Sequence, residues 1–192
     1  MRLGRYLLHT SDRGIVYQPD TSKGLECYVD ADFAGGWSNA DTDDAEIVMS
    51  RTGYVIMYVN CPIFWASKLQ TEIALSTAEA EYIALSQALR EVIPSMILME
   101  EIRPVFPIHI TQPKFVCKVH KDNQSCIKMA KSDEFTPRTK HIALKYHHFK
   151  TCVKNDRITI DYCRTEDQKA DLFTKPLSDE LFFRLRYMLS GW

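Results

Sequence analysis

Hydrophobic and polar positions along the chain alternate between two rhythms. Residues 25–33, L-E-C-Y-V-D-A-D-F, are rich in aromatic and β-branched types and predict a strand, although two aspartates lie inside it. Two more strand patterns occupy 53–59 and 63–67, with Asn60-Cys61-Pro62 between them as the turn, so the first three strands form an antiparallel meander. The period then changes. Ser76-Thr77-Ala78-Glu79 fits a capping box, in which the serine oxygen accepts the N–H of Glu79 and the glutamate reaches back to the serine N–H. A helix starts there and carries Ala84, Leu85, Ala88 and Leu89 on one stripe.

Further on, residues 114–120 read as a buried strand, 125–131 as a short helix, and 140–153 as a longer helix with Ile142, Tyr146, Phe149 and Val153 on one face. A last strand covers 157–163. The tail holds a short helical piece around Asp171, a break at Pro176, and an amphipathic end with Leu181, Phe182, Leu185 and Leu189. The predicted order is three strands, helix, strand, two helices, strand, helix. Residues 2–20 carry Tyr6, Leu7 and Leu8, and Gly14-Ile15-Val16-Tyr17, and are too short to make a domain.

The 192 residues, 45% hydrophobic and 26% charged, suffice for one sizeable core. With 24 basic against 25 acidic residues the net charge is −1, so any grip on nucleic acid must be local or borrowed from a neighbouring domain. Six cysteines without a C-x-x-C pair, and the lack of a leader pattern, predict reduced thiols and an intracellular, cytoplasmic location. No apolar run approaches the roughly 18 residues of a membrane span.

Four acids stand out from this pattern. Glu81 heads the apolar stripe of its helix, whereas Glu79 is rotated away by about 200° and is occupied by the capping box. Asp30 lies inside an apolar strand and Asp122 ends another, where charge is costly unless a cation or a partner neutralises it. Asp171 opens a helical segment. Singly, each has a plain structural reading: a buried salt bridge for Asp30, an N-cap for Asp122, a favourable helix-dipole position for Asp171. Together they read differently. If the first strand and the 114–120 strand are parallel neighbours, Asp30 and Asp122 emerge side by side, and Glu81 and Asp171 can approach from helices. Four carboxylates around one cleft form an oxygen-only site suited to two Mg²⁺ or Mn²⁺ ions and to phosphodiester hydrolysis.

Several motifs in order carry a family resemblance: Y-V-D-A-D at 28–32, S-T-A-E-A-E-Y-I-A-L at 76–85, K-D-N-Q-S at 121–125, R-T-K-H-I at 138–142, and T-E-D-Q-K-A-D-L-F-T-K-P-L at 165–177. They resemble the ribonuclease H region of copia-type retrotransposon polyproteins, and E-Y-I-A-L-S-Q-A-L at 81–89 is similar to the active-site helix of retroviral ribonuclease H. The resemblance implies an α/β ribonuclease H-like fold, a mixed five-stranded sheet flanked by helices. It also implies cleavage of the RNA strand of an RNA–DNA hybrid with two Mg²⁺ or Mn²⁺ ions, on Asp30, Glu81, Asp122 and Asp171. In that assignment Asp30 and Asp122 hold the first ion, Glu81 helps to position it and the 2′-hydroxyl side of the substrate, and Asp171 completes the second site.

The opening R-Y-L-L-H-T resembles the end of a reverse transcriptase. The expected organisation is therefore a reverse-transcriptase remnant over 1–22, the ribonuclease H-like domain over 23–177 and an amphipathic tail over 178–192, with the reverse transcriptase of the same polyprotein as partner. Candidate contacts to nucleic acid are Asn123, Gln124 and Ser125, and Lys140, His141, Lys145 and His148 on a basic helix face; a solvated charged face is the other meaning of that run. One departure is that Cys163 to Gln168 holds no histidine, where many ribonucleases H have one. Adjacent His147 and His148 diverge by about 100° on a helix and do not make a zinc site. Asp32 and Asp167 stay open as auxiliary acids. The rival readings are a catalytically silent retrotransposon-derived fragment that acts as a structural or nucleic-acid-binding module, and a related nuclease or transposase cutting DNA.

Overall fold

The computed structural model describes residues 2–35, 48–106, 115–132 and 147–192. Its centre is a five-stranded sheet of β1 (Leu25–Asp32), β2 (Arg51–Tyr58), β3 (Cys61–Leu69), β4 (Cys117–Lys121) and β5 (Ile158–Tyr162), in the order β3-β2-β1-β4-β5. β1, β2 and β3 pair antiparallel, whereas β1 with β4 and β4 with β5 are parallel. The helices are α1 (Arg2–His9), α2 (Thr77–Ile102), α3 (Gln124–Lys131), α4 (Lys150–Lys154) and α5 (Asp179–Ser190), with short 3₁₀ turns over His147–Phe149, Thr165–Asp167 and Lys169–Phe173.

Alternation sorts the strand residues between two cores. Cys27, Val29 and Ala31 of β1, with Tyr54 and Ile56 of β2 and Cys117 and Val119 of β4, pack beneath the apolar stripe of α2 that runs from Ala80 to Met96. On the opposite face Tyr28, Val55 and Met57 meet Ala170 of the last 3₁₀ turn, with Phe173 and Leu189 at the margin. Because the middle of β1 is covered on both faces, Tyr28 and Asp30 are buried as well, Asp30 at 1% exposure.

Several local expectations shift. The β2–β3 turn is Val59-Asn60, both with positive φ (46° and 65°), and Cys61 and Pro62 belong to β3. Two left-handed residues give the tight turn whose twist suits a hairpin, and β3 is an edge strand where proline's missing donor is tolerated. Ser76 caps α2 and accepts from Glu79 N, but Glu79 closes the box on Leu75 N at 2.8 Å rather than on the serine itself. α3 is capped by Asn123, whose side chain accepts from Cys126 N, so Asp122 is released from that task.

The expected 140–153 helix is helical over 147–154; Lys140, His141 and Lys145 lie outside the described residues. At the ends of the chain, Tyr6 meets Phe182 edge-on at 5.6 Å, Val16 N donates to Ser190 O, and Trp192 Nε1 donates to Gly14 O. Among the described residues no helix is long and apolar enough to cross a membrane, and the six cysteines are free thiols.

Candidate metal centre

β1 and β4 are in parallel register with Tyr28 opposite His120, so two residues further Asp30 and Asp122 leave neighbouring strand ends on the same face. Asp171 comes to them from the 3₁₀ turn over Lys169–Phe173. One carboxylate oxygen from each of Asp30, Asp122 and Asp171 lies within 4.8 Å of the others, a grouping able to hold a metal ion.

Two devices bring the turn to the sheet. Gln168, fully buried, donates from Nε2 to Val29 O at 3.1 Å and to His120 O at 3.5 Å, and its Oε1 accepts from Ala170 N; this one carboxamide ties β1, β4 and the start of the turn together. Gly53, paired with Asp30 in β2, leaves the room the turn needs. A Cβ there would meet Thr174 Cγ2 at 2.6 Å, Phe173 Cβ at 2.8 Å and Ala170 O at 3.1 Å.

The T-K pair of the F-T-K-P-L motif supplies the surroundings of the acids. Thr174 Oγ1 donates to Asp30 Oδ2 at 2.5 Å, and the Lys175 ammonium lies 3.0 Å from Asp171 Oδ1 and 3.6 Å from Asp30 Oδ2. Burial, then the charge of Asp30, push the Asp171 carboxyl up to about 7 in spite of Lys175. Asp122 Oδ2 takes a long contact of 3.4 Å from Thr165 Oγ1, while Asp122 Oδ1 and Asp171 Oδ2 are buried with no hydrogen-bond partner among the described residues. Buried carboxylate oxygens are rarely left bare without a cation to meet them. The donor set, all carboxylate oxygen, fits Mg²⁺ or Mn²⁺.

Glu81, the fourth expected acid, is buried at the edge of this cluster and engaged elsewhere. Its Oε2 accepts from Lys121 Nζ, which is fully buried and also donates to Val29 O at 3.0 Å. Burial raises the Glu81 carboxyl to about 7 against the pull of Lys121, with Asp30 adding to the rise; the Lys121 ammonium is in turn held above its ordinary value by Glu81. Lys121 went unremarked in the sequence, but the signal was present: alternation from Cys117 through Val119 puts residue 121 on the core face, where a cation requires an anion. Gln168, Gly53, Thr174 and Lys175 carry no comparable signal, because the contacts that tie them to β1 bridge more than a hundred residues or neighbouring strands.

Of the candidate nucleic-acid contacts, Gln124, Ser125 and His148 are exposed, and Asn123 Oδ1 is committed to the cap of α3. Among the auxiliary acids, Asp167 pairs with Arg184 at 2.7 Å, and the Asp32 carboxyl, raised mainly by burial, lies outside the three-aspartate grouping.

No family model matches the chain. In fold it resembles the compost-derived ribonuclease LC11-RNase H1 with a TM-score of 0.52 at 15% identity, over 79% of this chain and 92% of that one. A second structure of LC11-RNase H1, in complex with an RNA/DNA hybrid, aligns with a TM-score of 0.50 at 15% identity, over 78% and 93%. The fold, a mixed sheet in the order β3-β2-β1-β4-β5 with flanking helices, is therefore that of ribonuclease H domains.

The sequence narrows this class. The chain is 34% identical over 181 residues to a retrovirus-related Pol polyprotein from transposon RE2 of Arabidopsis thaliana, covering 94% of this chain and 11% of that protein. It is 35% identical over 151 residues to the corresponding polyprotein from transposon TNT 1-94 of Nicotiana tabacum, covering 79% and 10%. The chain spans about a tenth of the length of these curated relatives. Both of these relatives are retrovirus-related Pol polyproteins of copia-type transposons, and with the fold this is consistent with the ribonuclease H domain of a retrotransposon polyprotein.

Proposed function

We propose that this chain is a metal-dependent endonuclease that hydrolyses the RNA strand of RNA–DNA hybrids during retrotransposon reverse transcription. The observation that carries the reading is the convergence of Asp30, Asp122 and Asp171, two of them with buried oxygens that no donor among the described residues satisfies. These three aspartates would hold the divalent ions, Mg²⁺ or Mn²⁺, with Glu81, paired to Lys121, at their edge. Bound there, such ions supply an activated water and charge stabilisation at the leaving oxygen. Thr174 and Lys175 fix the orientation of Asp30 and Asp171, and Gln168 holds the turn against both strands.

Contact with the hybrid backbone would fall to Asn123, Gln124, Ser125, Lys140, His141, Lys145 and His148; the exposure of Gln124, Ser125 and His148 supports this for those three. Specificity would come from hybrid shape and the 2′-hydroxyl. The reverse transcriptase of the same polyprotein is the proposed partner, in an intracellular, cytoplasmic particle. Residues 1–22 would be its remnant, 23–177 the nuclease domain and 178–192 the closing tail, consistent with the packing of the two chain ends on each other.

The test is cleavage of a labelled RNA–DNA hybrid, with duplex DNA and duplex RNA as controls, in Mg²⁺ and in Mn²⁺. The expected result is cleavage of hybrid RNA alone, abolished by Asp122→Asn. A folded protein inactive in both metals would overturn it. The ion pair between Lys121 and Glu81 gives the second reading, a module without catalysis, its specific support, because it engages one of the four acids.

A further inference from the structure

Lys121 is a cation built into the wall of the acid cluster. Its side chain is fully buried, and the charge of Asp30, one of the three clustered acids, acts on it. Nζ bonds Glu81 on α2 and the carbonyl of Val29, the residue before Asp30, and thereby spans the strand ends that carry two of the three clustered acids. Glu81 stands outside the grouping whose oxygens lie within 4.8 Å of one another. A buried carboxylate that already has an ammonium partner gains little from a second cation, and the ammonium repels a divalent ion placed a few ångströms away.

We propose that Lys121 is an internal counter-cation that takes the Glu81 corner of the site, so that this chain binds divalent metal on Asp30, Asp122 and Asp171 alone and keeps its metal-free fold stable at the expense of metal affinity. This inference rests on the metal-site reading above and deepens it. It yields two consequences. Removing the ammonium alone frees Glu81 as a fourth donor and tightens metal binding. Removing both partners leaves a neutral corner in which affinity stays near that of the wild type, because Glu81 was not a donor there.

The experiment uses the full chain, stripped of metal, with Mn²⁺ as probe: bound ion is measured by calorimetry and by electron paramagnetic resonance of free Mn²⁺, beside thermal melts. Lys121→Met is expected to bind Mn²⁺ at least about tenfold more tightly than wild type, and to melt lower without metal but not with it. The double variant Lys121→Met/Glu81→Gln, which carries no unpaired buried charge and keeps the test open should the single variant misfold, is expected to melt near wild type and to bind Mn²⁺ within about threefold of it. Unchanged affinity in a folded Lys121→Met, or a tenfold loss in the double variant, overturns it while leaving the metal site intact. Absence of binding in wild type and both variants, indistinguishable from Asp122→Asn, overturns the inference together with the metal-site reading.

Discussion

Adding one methyl group at Gly53 tests how Asp171 is brought to Asp30. The ideal Cβ of Gly53→Ala would meet Thr174 Cγ2 at 2.6 Å and Phe173 Cβ at 2.8 Å, both closer than carbon atoms pack, and Ala170 O at 3.1 Å. The contacts come from two consecutive residues and a backbone oxygen, so a single rotamer change cannot relieve them, and the 3₁₀ turn must lift by several tenths of an ångström to about 1 Å. Overpacking of this kind costs about 1–3 kcal/mol. Replacing glycine in a strand returns ~0.4–1 kcal/mol by restricting the unfolded chain. The net loss is then about 1–2 kcal/mol, or ~2–8 °C in Tm for a chain of this size.

The same displacement moves Asp171 away from Asp30 and Asp122, so Mn²⁺ binding weakens several-fold. Hybrid cleavage falls further, by up to about 100-fold, because misplacement on the order of 1 Å is costly at a reacting centre. Calorimetric melting, Mn²⁺ titration and hybrid cleavage follow the three effects. Thr174→Ser removes Cγ2 but keeps the hydroxyl on Asp30, and in the double variant it restores part of both stability and affinity. A Gly53→Ala protein as stable as wild type with the same Mn²⁺ affinity would refute the reasoning.

Other consequences concern the charges. Thr174→Val keeps the shape but strips the buried Asp30 carboxylate of its O–H donor, and is expected to lower stability by about 1.5–3 kcal/mol in urea unfolding; an unchanged midpoint would show the bond to be idle. For pH, the Asp171 carboxyl is raised to about 7, above its ordinary value of 3.8. Between those values the metal-free native state binds more protons than the unfolded chain, so the contribution of Asp171 is fully present at low pH and is lost as pH rises through about 7. The urea midpoint of metal-free wild type should therefore fall relative to that of Asp171→Asn as pH rises from about 4 to about 8, and Mn²⁺ should cancel the fall. Parallel curves for the two proteins would contradict it.

Local periodicity made much of this molecule legible. β1 was readable from 25–33, α2 from its serine cap and apolar stripe, and the element order from the alternation of period 2 and period 3.6. Asp30 and Asp122 stood out because charge in an apolar context is costly, a rule that applies residue by residue, whereas Asp171 stood out only as one of a set and through the family resemblance. Boundaries were less readable. The β2–β3 turn fell on Val59 although a β-branched residue disfavours positive φ, because the pairing of flanking strands outweighs the preference of one residue.

What the sequence determined by itself was therefore which segments bury which faces, and which acids needed a partner. Tertiary structure alone decided who the partners are. Lys121 meets Glu81, Asn123 rather than Asp122 caps α3, and Gly53 opens the space through which a turn more than a hundred residues away delivers Asp171. The physical reason is range. Backbone preference and hydrophobic period act over a few neighbouring residues, whereas ion pairing and steric exclusion act between whichever side chains the sheet order places a few ångströms apart.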